Sequence, residues 1–363
     1  MIYLDHNATS PLLPEVLDAM RPWLGVPANP SSAHAAGRAA LAAVERAREQ
    51  VAALVGGAPV GVVFTSGATE ANHLGLRGLA VAHPDAPIAV GPTEHPCVFA
   101  AIEATGRPWR VLGCDAEGRV DAGSVPAGIC ALQAANHETG VLQPVDALCA
   151  RSEVILHVDA TQAAGRVPLD LAAAASVSLS SHKLGGPGGV GALMLPHGRA
   201  FPALFAGSQE RGRRAGTVNT AGVVGFGAAA ALAVAERRAR QQLWRSQLAA
   251  IEAAVARAGG RVVGRGAPRV GNTVCAAFDG IRGELVVAAL DLRGICVSAG
   301  AACQSGSTQP SPTLVAVGDA SPRGAVRFSL GPRTVNGEVE ACCEALPEVV
   351  RAVRDAAAWE ADG

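Results

Sequence analysis

The chain has 363 residues, of which 49% are hydrophobic and 17% are charged, and its formal net charge is −1. This length and composition predict two packed domains and exclude an intrinsically disordered protein. The charges form neither a basic stripe nor a block of one sign, which argues against direct contact with nucleic acid. The N-terminus lacks the pattern of a signal peptide, and the longest apolar stretch, near 223–235, is too short to cross a bilayer. We therefore expect a cytoplasmic protein without membrane contact.

Taken in chain order, short Val/Ile/Leu runs alternate with Ala-rich helical stretches, the pattern of a mostly parallel sheet with helices on both faces. Strands are predicted at 60–66, 86–92, 109–114, 128–135, 154–160, 175–182 and 190–196. Helices are predicted at 33–55, 68–82, 94–105, 143–152 and 221–258. A Gly- and Arg-rich break near 255–270 predicts a linker into a smaller α+β unit. The predicted class is α/β, with a large domain at 12–255 and a small domain formed by 1–11 and 256–363.

The cysteines and the basic residues point to different kinds of chemistry. The nine cysteines are odd in number and form no CxxC pair, so neither a disulfide framework nor a metal site is expected. Of the 30 basic residues, Lys183 is the single lysine. Arginine cannot lose its proton and form an imine, whereas lysine can. Chance survival would explain an exposed lysine, but the setting SSHKLGGPGG, at a predicted strand end, indicates a chemical role.

Polar segments follow several predicted strands, at the edge where open α/β sheets bind ligands. TSGATEAN (65–72) opens a helix with a Gly-containing turn. That turn either holds a phosphate on backbone amides, with Thr69 adding a hydroxyl, or only caps the helix. In EHPCV (94–98), His95 either stacks on an aromatic cofactor or has a structural role.

Two further segments place a charged side chain in or after an apolar strand. In HVDATQ (157–162), Asp159 is suited to keep a pyridine nitrogen protonated, and Gln162 to bond the phenolic oxygen of the same ring. Helix capping by Asp159 is the alternative, and a metal pair with His157 lacks a third ligand. Arg327, in AVRFSLG, binds either a substrate carboxylate or a structural ion-pair partner.

Two segments rich in glycine need separate interpretations. Gly186, Gly188 and Gly191 spell GxGxxG, but the ALMLP stretch that follows predicts a strand rather than the helix of a dinucleotide site. Cys303 lies in a Gly/Ser/Gln/Pro stretch, which predicts an exposed, mobile loop. An exposed loop thiol indicates a reactive function.

Together these segments resemble the cysteine desulfurase family, the pyridoxal-phosphate enzymes of fold type I in aminotransferase class V. The resemblance covers nearly the whole chain, in order, through YLDHNATSP (3–11), ANPSSAH (28–34), FTSGATEAN (64–72), TEHPCV (93–98), ANHETG (135–140), HVDATQ (157–162), SLSSHKLGGPGG (178–189), QERGRRAGTVN (209–219), SAGAACQS (298–305) and RFSLG (327–331). It implies a large domain with a mostly parallel sheet flanked by helices, and a smaller α+β domain that carries the Cys303 loop.

The resemblance also implies a reaction and a set of site residues. Lys183 would carry pyridoxal 5'-phosphate as an imine and remove the Cα proton of L-cysteine, and Cys303 would accept the sulfur as a persulfide. The other implied contacts are Asp159 with the pyridine nitrogen, Gln162 with the phenolic oxygen, His95 against the ring, Ala68, Thr69, Ser180 and His182 with the phosphate, Thr217 with the phosphate of the neighbouring subunit in a homodimer, Asn136 with cofactor and substrate, and Arg327 with the substrate carboxylate.

The chain departs from the family pattern at three places. Gly188 stands where GPKG has its lysine, His137 stands where NNE has its second asparagine, and AGS (206–208) replaces the usual glycine run before QE. A short tail follows RFSLG, which weakens the case for docking an iron–sulfur scaffold. The alternatives are a selenocysteine lyase, a cystine or cysteine-sulfinate C–S lyase or an epimerase of the same fold, or a non-catalytic relative, and the Cys303 loop favours the desulfurase. The sulfur acceptor is not determined by the sequence.

Overall fold

The computed structural model describes residues 1–195, 202–203, 206–300 and 310–362, with side chains described up to 357 in the last helix. The strands in these residues are β1 (Ile2–Tyr3), β2 (Val62–Thr65), β3 (Ile88–Val90), β4 (Trp109–Val111), β5 (Gly128–Gln133), β6 (Val154–Asp159), β7 (Ser176–Ser180), β8 (Gly191–Met194), β9 (Arg261–Val263), β10 (Thr273–Ala277), β11 (Ile295–Cys296), β12 (Ser298–Ala299) and β13 (Ala325–Ser329).

The α-helices in the same residues are α1 (Pro14–Leu24), α2 (Ala35–Ala52), α3 (Ala68–Ala82), α4 (Pro96–Glu103), α5 (Val145–Cys149), α6 (Thr220–Arg257), α7 (Gly283–Asp291), α8 (Pro312–Ala316) and α9 (Asn336–Asp362). Short 3₁₀ turns lie at Pro59–Gly61, Ala122–Ser124, Ser181–Leu184 and Gln209–Gly212. All seven strands and all five helices predicted for the first 258 residues are present, most of them shorter than predicted.

A seven-stranded sheet occupies the centre of the fold, in the order β2-β8-β7-β6-β5-β3-β4. Within this sheet β8 runs antiparallel to both neighbours, whereas β3 to β7 pair in parallel. Strand β5 is buried along its whole length, because helices cover both faces, and this explains its continuous apolar sequence. The predicted α/β class with a mostly parallel sheet is confirmed. Parallel pairing brings the carboxyl ends of β5, β6 and β7 to one edge of the sheet.

A second group of strands lies towards the C-terminus. Strands β12, β13, β10 and β9 form an antiparallel sheet, and β1 pairs in parallel with β11. Leu4 joins Phe278 and Phe328 in the hydrophobic cluster that covers this sheet, together with Trp244 from the second half of α6. The first residues of the chain therefore pack with its last third. The domain division at 12–255, with 1–11 and 256–363 apart, stays a prediction.

The expected linker near 255–270 is instead a tight connection between α6 and β9. Helix α6 ends where Gly259 adopts a left-handed backbone with φ of 73°. The Gly260 amide then donates to the Val255 carbonyl over 2.9 Å, the hydrogen bond that closes a helix with a glycine after its end. Strand β9 follows at once, because its Arg-Val-Val segment pairs with the edge of β10.

Helix α6 has 38 residues and matches the helix predicted at 221–258 to within one residue at each end. Its 38 residues contain a window that is long and apolar enough to cross a membrane, and 56% of that window is buried inside the protein. A Cβ on Gly227 would come within 2.7 Å of Ala47 in α2, so the two helices are in close contact there. The apolar face of α6 is thus accounted for by packing in the protein core.

Candidate active site

A cavity of about 470 Å³ lies at the carboxyl edge of the central sheet. The segments that follow β2, β3, β6 and β7 all reach it, because ligand sites in open α/β sheets form where parallel strands end. Nine residues predicted from the sequence to act in one site line this cavity: Ala68, Thr69, His95, Asp159, Gln162, Ser180, His182, Lys183 and Arg327.

Lys183 lies in the 3₁₀ turn that follows β7. The turn ends at Gly185, whose φ of 82° allows the chain to reverse tightly. The Lys183 Nζ donates to the carbonyl oxygens of Asn7 over 2.6 Å and Ala8 over 2.5 Å. The amine is therefore held at the cavity by the N-terminal segment, a contact between residues far apart in the chain.

The N-terminus of α3 has the features of a phosphate site. Gly67 occupies the N-cap and has no side chain that could accept from the amides of the first turn. The first three amides of a helix lack carbonyl partners within it and attract an anion. A Cβ on Gly67 or Gly189 would contact nothing, so the space beside these amides is open. The geometry favours the phosphate interpretation of TSGATEAN over a merely capped helix start.

The ring of His95 has a defined tautomer. His95 is the N-cap of α4, and its Nδ1 accepts from the Cys97 amide over 3.2 Å. Burial lowers the pKa of His95 below its ordinary value, and nearby Lys183 lowers it further. The ring is therefore neutral near neutral pH, and the proton of its neutral form lies on Nε2. His137, whose pKa burial lowers well below the usual range, lies edge-on to this ring at 5.5 Å between centroids.

Asp159 ends β6 with both carboxylate oxygens in use. Its Oδ2 accepts from Asn72 Nδ2 and its Oδ1 accepts from the Thr161 amide, each over 2.9 Å. His157 bonds Asn72 and Ser176, so it does not join Asp159 as a metal pair. The described residues contain no group of three side chains that could bind a metal ion.

The amide of Gln162 is oriented by a buried arginine that the sequence did not single out. Arg166 NH1 donates to Gln162 Oε1 over 2.5 Å, and Gln162 Nε2 donates to the Asn7 carbonyl over 3.1 Å. Burial lowers the pKa of Arg166 to about 9. Because Oε1 accepts from this arginine, the orientation of the amide is fixed, and Nε2 carries two N–H groups that can donate.

Arg327 forms a structural ion pair, one of the two alternatives that the sequence left open for this residue. Its NH2 lies 2.7 Å from Asp5 Oδ1, and its NH1 donates to the His137 carbonyl over 3.0 Å. Its Nε is buried and has no hydrogen-bond partner among the residues that the structure describes, although the residue lines the cavity. The ion pair accounts for part of the guanidinium, and binding of a substrate carboxylate stays a prediction.

Two of the predicted residues that the structure describes, Asn136 and Thr217, do not line the cavity. The Asn136 Oδ1 accepts from the Glu138 and Thr139 amides over 3.0 and 2.8 Å, and its Nδ2 donates to the Thr93 carbonyl over 3.0 Å. Its amide thus stabilises a turn, and the neighbouring His137 lines the cavity instead. The reason is that sequence motifs do not reveal which of two adjacent side chains points inward.

Thr217 is the second of these residues. Thr217 lines a second pocket of about 220 Å³, which shares Ser66, Gly189 and Val190 with the main cavity. Cys303 lies outside the described residues. Sequence reasoning also missed Asn7 and Asn72, although both lie in motifs quoted above; a buried asparagine in such a motif is the signal that could have identified them.

Comparison with known proteins gives a match to one family model and similarities to three individual proteins. The model of the family Aminotransferase class-V matches residues 2–342. A cysteine desulfurase of Cereibacter sphaeroides is 41% identical, over 97% of this chain and 96% of that protein. A solved NifS-like protein is 30% identical with a TM-score of 0.87, over 96% of this chain and 99% of that one. A structure described as SspA in complex with cysteine is 28% identical with a TM-score of 0.77, over 92% and 100%.

The chain belongs to the cysteine desulfurase family. The relationship spans the central sheet and the sheets formed with the C-terminal strands, because the matches cover more than nine-tenths of the chain. In this cysteine desulfurase family member, the cavity at the carboxyl edge of the central sheet is therefore the candidate active site.

The buried His157 predicts how stability depends on pH. Burial lowers its pKa from 6.5 to about 4, so the folded protein binds fewer protons than the unfolded chain between these values. Its contribution to stability is complete above about pH 6.5 and is lost as the pH falls towards about 4. Between about pH 7.5 and about pH 5, the wild type should lose about 2 kcal/mol more unfolding free energy than His157→Gln. Urea unfolding of both proteins at the two pH values measures this, and equal losses would contradict it.

Proposed function

We propose that this chain is a pyridoxal-phosphate-dependent cysteine desulfurase, which converts L-cysteine to L-alanine and transfers the sulfur to Cys303 as a persulfide. The observation that carries the proposal is the cavity in which Lys183, the single lysine, lies together with His95, Asp159 and Arg327. The relative from Cereibacter sphaeroides carries this activity in its name, and SspA binds cysteine, which supports the same substrate here.

The lining of the cavity fits pyridoxal phosphate. The open amides of α3 suit the phosphate group, and the Asp159 carboxylate suits a protonated pyridine nitrogen. Buried polar atoms without partners in the described residues include His137 Nδ1, Thr161 Oγ1 and Arg327 Nε, all on residues that line this cavity. Such atoms are expected beside a site that a polar ligand completes. When bound, the cofactor supplies an electron sink for the electrons released at the substrate Cα.

Substrate binding and proton transfer are assigned to different residues of the chain. Arg327 is proposed to hold the substrate carboxylate, for which its guanidinium fork is suited, and its Nε has no partner within the described part of the chain. Lys183 Nζ, held at the cavity by the carbonyls of residues 7 and 8, takes the Cα proton and returns it. His95 presents an Nε2–H to the same space and is proposed to exchange a proton with a reacting thiol.

Sulfur transfer balances with Cys303 as the acceptor. The Cys303 thiolate forms an S–S bond with the sulfur of L-cysteine while the substrate C–S bond breaks. The electron pair of that C–S bond stays on the carbon, which takes up protons and leaves as L-alanine. The enzyme is left with a persulfide, which an acceptor protein or enzyme, or a thiol reductant, then removes.

The described cysteines are poor competitors for this role. Burial raises the pKa of seven of them above the ordinary thiol value, namely Cys97, Cys114, Cys130, Cys149, Cys275, Cys342 and Cys343. Among the eight described cysteines, Cys97 is the one that lines the cavity, and its pKa of about 12 keeps it a neutral thiol. Since the thiolate is the nucleophile, these cysteines leave the acceptor role to Cys303.

The experiment measures alanine and sulfide production from L-cysteine in the presence of a thiol reductant. Cys303→Ala should retain the visible absorbance of the bound cofactor but lose sulfide release by about 10²-fold or more, because the nucleophile is missing. Cys114→Ala, at a half-buried cysteine away from the cavity, is the matched control and should behave as wild type. Equal turnover of Cys303→Ala and wild type would contradict the persulfide route and favour a C–S lyase of the same fold.

We also propose that the active unit is a cytoplasmic homodimer. Thr217 lies in a pocket that adjoins the cavity, a position suited to completing the phosphate site of a second subunit. Large apolar side chains are exposed on α1 and α2, including Leu17, Leu24 and Leu41. An exposed apolar surface of this kind supports contact with a second subunit there. The acceptor of the persulfide sulfur is proposed to be another protein or enzyme of unassigned identity.

A further inference from the structure

A buried polar network lies directly behind Asp159 and none of its other members has a role in the proposed reaction. It contains Asn72 and His157, both with no exposed surface, and the hydroxyls of Ser176 and Ser178, also fully buried. Buried polar groups cost free energy unless their hydrogen bonds are complete. A network of this kind, placed beside the cofactor cavity in the apolar interface of helix and sheet, therefore requires an explanation.

The geometry of the sheet assembles the network. His157 and Asp159 are two residues apart on β6, so their side chains point to the same face. Strand β7 pairs with β6 so that Ser176 lies opposite His157 and Ser178 lies opposite Asp159. Helix α3 covers this face and places Asn72 among the four side chains.

Helix α3 approaches β6 closely at this point. Gly75, one turn after Asn72, leaves the space in which the His157 ring lies, because a Cβ there would come within 2.8 Å of the ring. A larger residue at this position would therefore force the helix and the ring apart.

The two ends of the Asn72 amide are distinguished by their partners. Its Oδ1 accepts from Ser178 Oγ over 2.5 Å and from His157 Nε2 over 2.8 Å. Its Nδ2 donates to Asp159 Oδ2 over 2.9 Å and to Cys97 Sγ over 3.3 Å. All four hydrogen-bonding positions of the amide are therefore filled, which is the full capacity of an asparagine side chain.

The flipped amide would be strongly disfavoured. It would turn its oxygen towards the Asp159 carboxylate and its N–H groups towards the His157 N–H. The tautomer of His157 agrees with this orientation of the Asn72 amide. Nδ1 of His157 lies 2.7 Å from Ser176 Oγ and can accept from it, which leaves the proton on Nε2. Burial lowers the pKa of His157 to about 4, so the ring stays neutral and keeps this tautomer near neutral pH. The His157 N–H thus fixes the orientation of the Asn72 amide, and the Asn72 amide in turn fixes the orientation of the Asp159 carboxylate.

We infer that Asn72 is a positioning residue for the cofactor: it holds the Asp159 carboxylate aimed at the pyridine nitrogen, and His157 with Ser178 fixes the direction of the Asn72 amide. The inference rests on the proposed function for the identity of the cofactor. It adds two residues, one on α3 and one on β6, that act through Asp159 without touching the substrate. A network that only stabilised the packing of α3 on β6 would leave the cofactor unchanged. This network is expected to change the charge on the cofactor ring, because it orients the carboxylate that contacts the pyridine nitrogen.

The test uses the pH at which the visible absorbance of the bound cofactor changes. Asn72→Leu keeps a similar volume but removes the donor to Asp159. It should shift this pH upwards by about one to two units, as expected for the loss of one hydrogen bond to a charged group. The shift is upwards because a weaker carboxylate contact leaves less positive charge on the pyridine ring. The affinity of the apoprotein for pyridoxal phosphate should fall by about tenfold or more for the same reason.

Variants at His157 separate positioning from packing. His157→Phe keeps a ring but removes the Nε2–H, and it should shift the absorbance midpoint in the same direction as Asn72→Leu. His157→Gln replaces that donor with an amide N–H and should restore most of the wild-type midpoint. Asp170→Asn is the matched control, since it changes an exposed carboxylate between β6 and β7 that accepts from the Ala172 amide, away from the network. It should leave the midpoint in place.

The outcome that overturns the inference is a midpoint that is unchanged in Asn72→Leu and His157→Phe while their stability falls. If neither variant folds, the ¹⁵N shifts of His157 in the wild-type protein decide, because a proton on Nδ1 instead of Nε2 would also overturn it. None of these measurements uses L-cysteine, so a failure of the desulfurase proposal is seen separately, in the turnover assay. A wild-type chain that binds no pyridoxal phosphate would overturn both.

Discussion

Lys183→Arg is expected to abolish turnover of L-cysteine, by at least about 10³-fold, and to remove the visible absorbance of the bound cofactor. Arginine keeps the positive charge and can donate to the carbonyls of Asn7 and Ala8, which receive the Lys183 amine in the structure. It cannot lose its proton to form an imine or to act as a base. The substitution therefore removes the chemistry and keeps much of the local hydrogen bonding. Absorbance spectra and initial rates of alanine formation measure the two effects.

The lysine content of the chain makes this prediction unusually easy to check. Lys183 is the single lysine, so reduction of the bound cofactor with borohydride should attach it to one peptide. Lys183→Ala should also lose turnover, and should be less stable than Lys183→Arg because two carbonyls lose their donor. Retention of activity in either variant would exclude Lys183 as the residue that carries the cofactor.

Asp159→Asn is expected to lower the rate of alanine formation by about 10² to 10³-fold, while the cofactor remains attached. Breaking one buried charge pair costs about 3–5 kcal/mol, which corresponds to a rate loss of that order when the charge is needed in the transition state. The new amide would also present an N–H or a neutral oxygen to Asn72 Nδ2, which now donates to a carboxylate. Rate measurements at saturating L-cysteine, with absorbance spectra as a check of occupancy, test the prediction.

A matched control is available in the loop that follows β6. Asp170 is exposed and accepts from the Ala172 amide, so Asp170→Asn removes a carboxylate of the same segment without touching the cavity. It should behave as wild type. If Asp159→Asn and Asp170→Asn were equally active, the Asp159 carboxylate would have no part in activating the cofactor.

Much of the fold could be predicted because its elements carry local signals. Strand β5 is buried along its whole length and is apolar from residue 128 to residue 132, and α2 and α6 are long and rich in alanine. The prediction of a linker after α6 was wrong, because the segment contains strand β9. This strand has three residues, too few to show the alternating or apolar pattern by which strands are identified from sequence. Pairing with β10 turns Arg261–Val263 into a strand.

The candidate site was predictable only in part. The residues that end strands, such as Asp159 and Lys183, were identified because parallel strands bring their carboxyl ends to one edge. Asn136 was assigned to the cofactor, yet its amide stabilises a turn and His137 faces the cavity. Asn7 and Asn72 were missed, because the partners that give them a role come from distant segments of the chain.

The sequence by itself determined the identity and order of the chemical groups: one lysine, a strand-end aspartate, a glycine turn before a helix and a loop cysteine. These signals are local, and their order along the chain was enough to indicate the family. Only the tertiary structure decided which groups meet. The hydrogen bonds of Lys183 to residues 7 and 8, the pair of Arg327 with Asp5, and the bond from Asn72 to Asp159 each join segments more than 80 residues apart. Their geometry depends on how helices and strands pack, which no local pattern specifies.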